Sequence, residues 1–203
     1  MNVAIFYHVY ITPHQDHGMA IVREQINALR DSGLLQFKDF YVGVNGSYEE
    51  LDLVATAMPS SAILFQNAEK DWPGGEVPTL RELKDFALAF PQSKILYLHT
   101  KGISYPPGSP GYGQMMSWRH DMQKTVIQRW RHCVQELETH DTVGQWWHSA
   151  PNGNYWAGNF WWANADFIAT LPDINTEGQI QGGRYEAEVW IGRSSRQTRV
   201  KQL

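Results

Sequence analysis

The chain has 203 residues, 42% of them apolar and 13% aromatic, which suits one domain with a substantial core and excludes a disordered chain. A formal net charge of −4 gives no sequence-wide basic field for nucleic acid, so any phosphate binding has to be local. Cys133 is the only cysteine, which excludes a disulfide framework and a cysteine zinc site; MNVAIFYHVYITPH lacks a signal-peptide layout, no apolar run reaches membrane length, and a soluble cytoplasmic protein is expected.

Val3–Val9 is apolar and β-branched and predicts a first strand. Gly18–Ser32 carries Ala20, Ile21, Ile26 and Leu29 at helical spacing, with Gly33 as a stop. A second strand follows at Phe40–Val44, closed by Asn45-Gly46, then a helix over Tyr48–Met58 ending before Pro59. Ala62–Phe65 is a third strand, and Gln66–Pro78 a polar loop. Thr79 is expected to cap a helix running to Phe90, and Lys94–Leu98 is the fourth strand. This alternation predicts an α/β fold with a mostly parallel sheet flanked by helices, in a single domain.

The fourth strand ends abruptly in His99, Thr100, Lys101 and Gly102. Ligands of open α/β sheets bind beyond the carboxyl ends of the strands, so this tetrad is a candidate site. Beyond it, Tyr105–Gly113 holds three prolines and three glycines. A long helix is then expected over Gln114–Glu138, with Trp118, Met122, Val126, Trp130, Val134 and Leu137 along one face as core packing. Asp141–Trp146 reads as a strand, 149–163 as a Gly-, Asn- and Trp-rich segment, Asn164–Leu171 and Arg184–Ile191 as short helices, and Arg193–Leu203 as a polar tail. Six of the nine tryptophans lie in the last third of the chain; they suit either a bulky core or platforms for flat ligands such as sugar rings.

Three segments in this order, YLHTKG, GNFWWANADFIATLP and RYEAEVWIG, resemble small GT-A-type glycosyltransferases, closest to bacterial and viral enzymes of the rhamnan-synthesis type. The loop NAEKDWPGGEVPTL keeps an Asn and an Asp of the family's Asn-Xaa-Gly-Arg-Asp-like loop but not its full pattern. The resemblance implies a nucleotide-sugar donor, UDP- or dTDP-linked, bound by a first half (1–104), and a saccharide acceptor bound by a second half (105–192). It also implies a place in polysaccharide synthesis. Rhamnose is suggested by likeness, while glucose or galactose would fit as well.

Transfer from a nucleoside diphosphate leaves negative charge on the departing diphosphate, which a metal or cationic and N–H donors must stabilise. No Asp-Xaa-Asp occurs in the chain; His-Thr-Lys stands in its place. Two replacements are open. Lys101 could neutralise the diphosphate, helped by Thr100 and the Gly102 N–H. Alternatively, Mn2+ or Mg2+ could be held by Glu69 and Asp71 with His99. By the same resemblance, further donor contacts are expected from Tyr7, His8 and Val9 at the end of the first strand and Thr12 beyond it, from Asn45 closing the second, and from Asn67. Acceptor contacts are assigned to Asn159, to Trp161 or Trp162 and to Arg184, with alternation placing the two tryptophans on opposite faces. Family likeness points to Glu188, two residues before Trp190, as the base that takes the acceptor proton in an inverting reaction, with Glu186 as second choice. A non-catalytic carbohydrate-binding protein and a sugar nucleotidyltransferase are the competing readings; the absence of GxxxxGK and GxGxxG excludes common phosphate loops.

Overall fold

A computed structural model describes residues 2–68, 75–150, 153–174 and 186–203. Strand β1 (Asn2–Val9) leads into helix α1 (Gln15–Asp31), β2 (Asp39–Asn45), α2 (Tyr48–Ala55), β3 (Ile63–Ala68), α3 (Val77–Ala89) and β4 (Ser93–His99). Then come α4 (Tyr112–Gln123), a π-helical turn (Lys124–Gln128) and α5 (Trp130–Glu136). The C-terminal part holds β5 (Thr142–Gly144), β6 (Trp147–Ala150), β7 (Gly153–Trp156), β8 (Trp161–Asn164), α6 (Ala165–Ala169), α7 (Glu186–Val189) and β9 (Val200–Gln202).

Seven strands form one sheet in the order β3-β2-β1-β4-β8-β5-β9. β1 to β4 run parallel, β8 is antiparallel to both β4 and β5, and β9 pairs parallel with β5. The mostly parallel, helix-covered sheet expected from the alternation is the architecture observed. Because strand side chains alternate, the sheet divides the core in two. Ile5, Tyr7, Leu96, Leu98 and Trp162 pack with α1, α4 and α5 on one face. Ala4, Phe6, Ile95, Tyr97 and Trp161 pack with α3, α6 and Trp190 on the other. Burying one aliphatic side chain of this kind contributes about 1.5–3 kcal/mol, so a one-residue register slip in β4 would be very costly.

Local sequence explains most boundaries. Ser47 caps α2 through a reciprocal capping box with Glu50, and Gly33 takes the left-handed conformation (φ 80°) after α1. Three expectations need correction. Thr79 lies inside α3, which Glu76 precedes; its hydroxyl meets His8 Nδ1 at 3.0 Å instead of capping the helix. The long helix is interrupted at Lys124–Gln128, where the Thr125 carbonyl accepts from Cys133 Sγ and that of Val126 from the Trp162 indole (2.7 Å). The polar tail contains the edge strand β9, because Asp141 accepts from the Arg199 N–H (2.8 Å), the Arg199 guanidinium (2.7 Å) and Arg196 (3.1 Å). Burial would raise the Asp141 pKa, yet these donors hold it below the usual range. No helix of the described residues is long and apolar enough to cross a membrane.

Candidate active site

Parallel pairing brings the carboxyl ends of β2, β1 and β4 side by side, with His8 opposite His99 in register. His8 is buried at 3% exposure, and burial pushes its imidazole down to about 4, so it is neutral at pH 7. His99 Nε2 lies 2.9 Å from the carbonyl of Gly158, to which a protonated Nε2 donates. The His99 ring meets Phe160 edge-on at 5.4 Å. A closed polar network sits beside this histidine pair. Glu76 Oε2 accepts from the Tyr97 hydroxyl and from Asn159 Nδ2, each at 2.7 Å, and Asn159 Oδ1 accepts from Trp161 Nε1 at 2.8 Å. Burial would raise the Glu76 pKa; the neighbouring His99 and His8 imidazoles and the hydrogen bonds from Tyr97 and Asn159 outweigh it and bring the carboxyl below its usual range. Asn159 adopts φ 54°, a left-handed conformation that asparagine tolerates better than most residues. Sequence reasoning passed over Glu76, which it read as part of a polar loop.

A second network holds the turn after β4. Arg119, 3% exposed, donates to both carboxylate oxygens of Glu24 (2.9 and 2.8 Å) and to the carbonyl of Lys101 (3.0 Å). Gln123 also donates to Glu24 (2.6 Å). Burial opposes ionisation of Glu24, but the Arg119 guanidinium, Gln123 and His120 bring it down to about 2. His17 Nε2 lies 3.3 Å from the Gly102 carbonyl. Gly102 itself has φ 94°, a region that L side chains rarely adopt, and a Cβ there would come within 3.0 Å of Arg119. Lys101 is half-buried and holds its ammonium 4.4 Å from the centroid of the Trp118 ring.

The predicted donor residues separate into two groups. Tyr7 and Val9 are fully buried, and the Tyr7 hydroxyl donates to Gln25 Oε1 at 2.6 Å; their side chains line the core, which corrects their assignment as donor contacts. His8 is likewise turned inward onto Thr79. Thr100 ties β1 to β4: its hydroxyl donates to the Tyr10 carbonyl (2.8 Å) and accepts from the Tyr10 N–H (2.9 Å), which corrects its assignment as a diphosphate donor. Thr12 donates to Glu50, the residue that closes the capping box with Ser47. Asn45 differs from these: it is 6% exposed, and its Oδ1 is buried with no hydrogen-bond partner among the described residues. Asn67 lies on β3.

On the acceptor side, Trp161 and Trp162 do point to opposite faces, but both are fully buried. Trp161 stacks on Tyr97 at 5.1 Å, so neither tryptophan is an exposed platform, and Asn159 is likewise spent inside the Glu76 network. These placements correct the acceptor assignment of Asn159, Trp161 and Trp162. Glu186 pairs with Arg193. Glu188 sits half-buried on α7, whose neighbours Ala187 and Val189 are buried. Arg184, Glu69 and Asp71 lie outside the described residues. Among the described residues no group of three or more His, Cys, Asp or Glu side chains could hold a metal ion, and the Nε2 of His99 is directed at a carbonyl oxygen.

Two solved structures are similar to this chain in outline. One is a candidate nucleotide-diphospho-sugar transferase from Desulfovibrio desulfuricans G20, at 11% identity and a TM-score of 0.46, covering 100% of this chain and 80% of that one. The other is a 4-diphosphocytidyl-2C-methyl-D-erythritol synthase, at 12% identity and a TM-score of 0.41, covering 90% of this chain and 85% of that one. No curated protein matches the sequence. The model of a domain of unknown function, DUF8361, matches residues 6–176, and the chain therefore belongs to the DUF8361 family.

Proposed function

We propose that this protein is a glycosyltransferase that moves a sugar from a UDP- or dTDP-linked donor to a saccharide acceptor. The observation that carries the reading is the placement, at one carboxyl edge, of the buried Asn45 Oδ1 at the end of β2, without a hydrogen-bond partner among the described residues, together with the Lys101 ammonium after β4. Only β1 separates these strands, so their ends lie about 10 Å apart at the usual strand spacing, the length scale of a nucleoside with its first phosphates. The amide oxygen of Asn45 suits the ring N–H of a pyrimidine, and Lys101 suits the diphosphate. His99 and the Gly102 backbone border the same turn.

In the proposed reaction the acceptor oxygen bonds to the anomeric carbon while the bond from that carbon to the diphosphate oxygen breaks. The electron pair leaves on the diphosphate, beside Lys101, and the acceptor proton passes to Glu188 acting as general base, with inversion. Mn2+ or Mg2+ held by Glu69, Asp71 and His99 would supply further positive charge to the diphosphate. Incubation with UDP- and dTDP-hexoses and a panel of methyl pyranosides should release UDP or dTDP and yield a disaccharide. Glu188→Gln should lower turnover at least a hundredfold with donor affinity retained. Release of diphosphate from a nucleoside triphosphate and a sugar phosphate instead would establish a nucleotidyltransferase and overturn the proposal.

A further inference from the structure

The geometry assigns Trp118 the role of a positioning residue that holds the Lys101 ammonium at the donor site; this rests on the nucleotide-sugar reading above. A lysine stem has four rotatable carbons, and an ammonium on such a stem loses much rotamer freedom when it has to meet a phosphate. Here α4 removes part of that freedom in advance, from two adjacent positions. Trp118 lies beneath the ammonium, 4.4 Å from ring centroid to Nζ, and Arg119 donates to the carbonyl of the same lysine at 3.0 Å. The guanidinium is itself fixed by the bidentate pair with Glu24, so the backbone at Lys101 is held on a rigid base.

The indole has little room to move. Trp146 lies against it, with ring centroids 6.2 Å apart, and Trp146 is itself held at φ 59°. On another side Gly158, whose φ of 84° L side chains rarely adopt, packs close: a Cβ there would lie 3.3 Å from the Trp118 ring and nearer still to Met122. Gly158 is also the residue whose carbonyl meets His99. One short turn therefore fixes both the ring that supports Lys101 and the orientation of the strand-end histidine. In this arrangement Trp118 supplies a π face for the cation, with no contact to the nucleotide required.

Calorimetric titration of the whole chain with UDP and with dTDP tests this through Trp118→Leu, Trp118→Phe and Lys101→Ala. Trp118→Leu, which removes the π face, should weaken binding about fivefold, whereas Trp118→Phe should stay within about twofold. In a Lys101→Ala background Trp118→Leu should cost nothing further, because its effect runs through the ammonium. The same loss in both backgrounds would make Trp118 a general support of the strand edge and overturn the inference. Unchanged affinity in Trp118→Leu, with Lys101→Ala impaired, would overturn it while leaving the donor reading intact. Failure of the unmodified protein to bind either nucleotide would overturn the donor reading and this inference with it.

Discussion

Two carboxylates anchor the two sides of the β4 terminus, and they do different work. Glu76 accepts from neutral donors, Tyr97 and Asn159, and the chain of bonds closes on the Trp161 indole inside the core. Glu24 neutralises a guanidinium, Arg119, which in turn grips the backbone carbonyl of Lys101 and leaves the lysine head to rest on Trp118. The first arrangement uses up its polar groups within the fold. The second uses a half-buried ion pair to present another cation at the sheet edge. The contrast shows that polar residues at a strand end need not belong to the binding site: Thr100 and Lys101 are adjacent, yet one ties strands together and the other carries an ammonium at the edge.

Breaking the Glu24 side should have the largest effect. Glu24→Ala leaves the Arg119 guanidinium buried without its main partner and should destabilise the fold by about 3 kcal/mol, toward the low end of the usual range because Glu24 itself is 32% exposed. Chemical denaturation measures this, and nucleotide affinity should fall in the same variant as the Lys101 turn loosens. Glu76→Ala should cost about 2 kcal/mol, because the Tyr97 hydroxyl and the Asn159 amide lose their acceptor. Glu76→Gln keeps an acceptor oxygen and should recover most of that loss.

Acid should act on the two sides in different pH ranges. His8 binds a proton more readily unfolded, near 6.5, than folded, near 4. Stability is therefore intact above pH 6.5 and declines as pH falls toward 4, by about 2 kcal/mol between pH 7 and pH 5. Glu24, with its folded pKa at about 2, adds stability above its unfolded value near 4.5 that is lost as pH falls toward 2. Denaturation midpoints measured across this range should show both phases, and His8→Asn should remove the upper one alone.

Sequence patterning was most legible where one signal decides the outcome. The apolar run ending at His99–Gly102 marked a strand terminus, and alternation separated Trp161 from Trp162. Their burial was not legible, because it depends on β8 lying between β4 and β5, which neither residue reveals. β9 was hidden for a similar reason: Val200–Gln202 is polar at an edge, and its pairing is secured by the distant Asp141. Glu76 could have been flagged by its place just before α3, yet its importance comes from Tyr97 and Asn159, 21 and 83 residues away. Trp118 followed the helical stripe and read as core; its contact with Lys101 exists only because the turn after β4 folds back onto α4.

Calorimetric titration with UDP and dTDP, each with and without Mn2+, decides whether the β4 terminus binds a nucleotide donor through Lys101. At least one nucleotide should bind saturably, and Lys101→Ala should weaken that binding about tenfold or more, a loss of roughly 1.4 kcal/mol. Binding that Lys101→Ala leaves unchanged, or no binding of either nucleotide under any of these conditions, would contradict donor binding through Lys101.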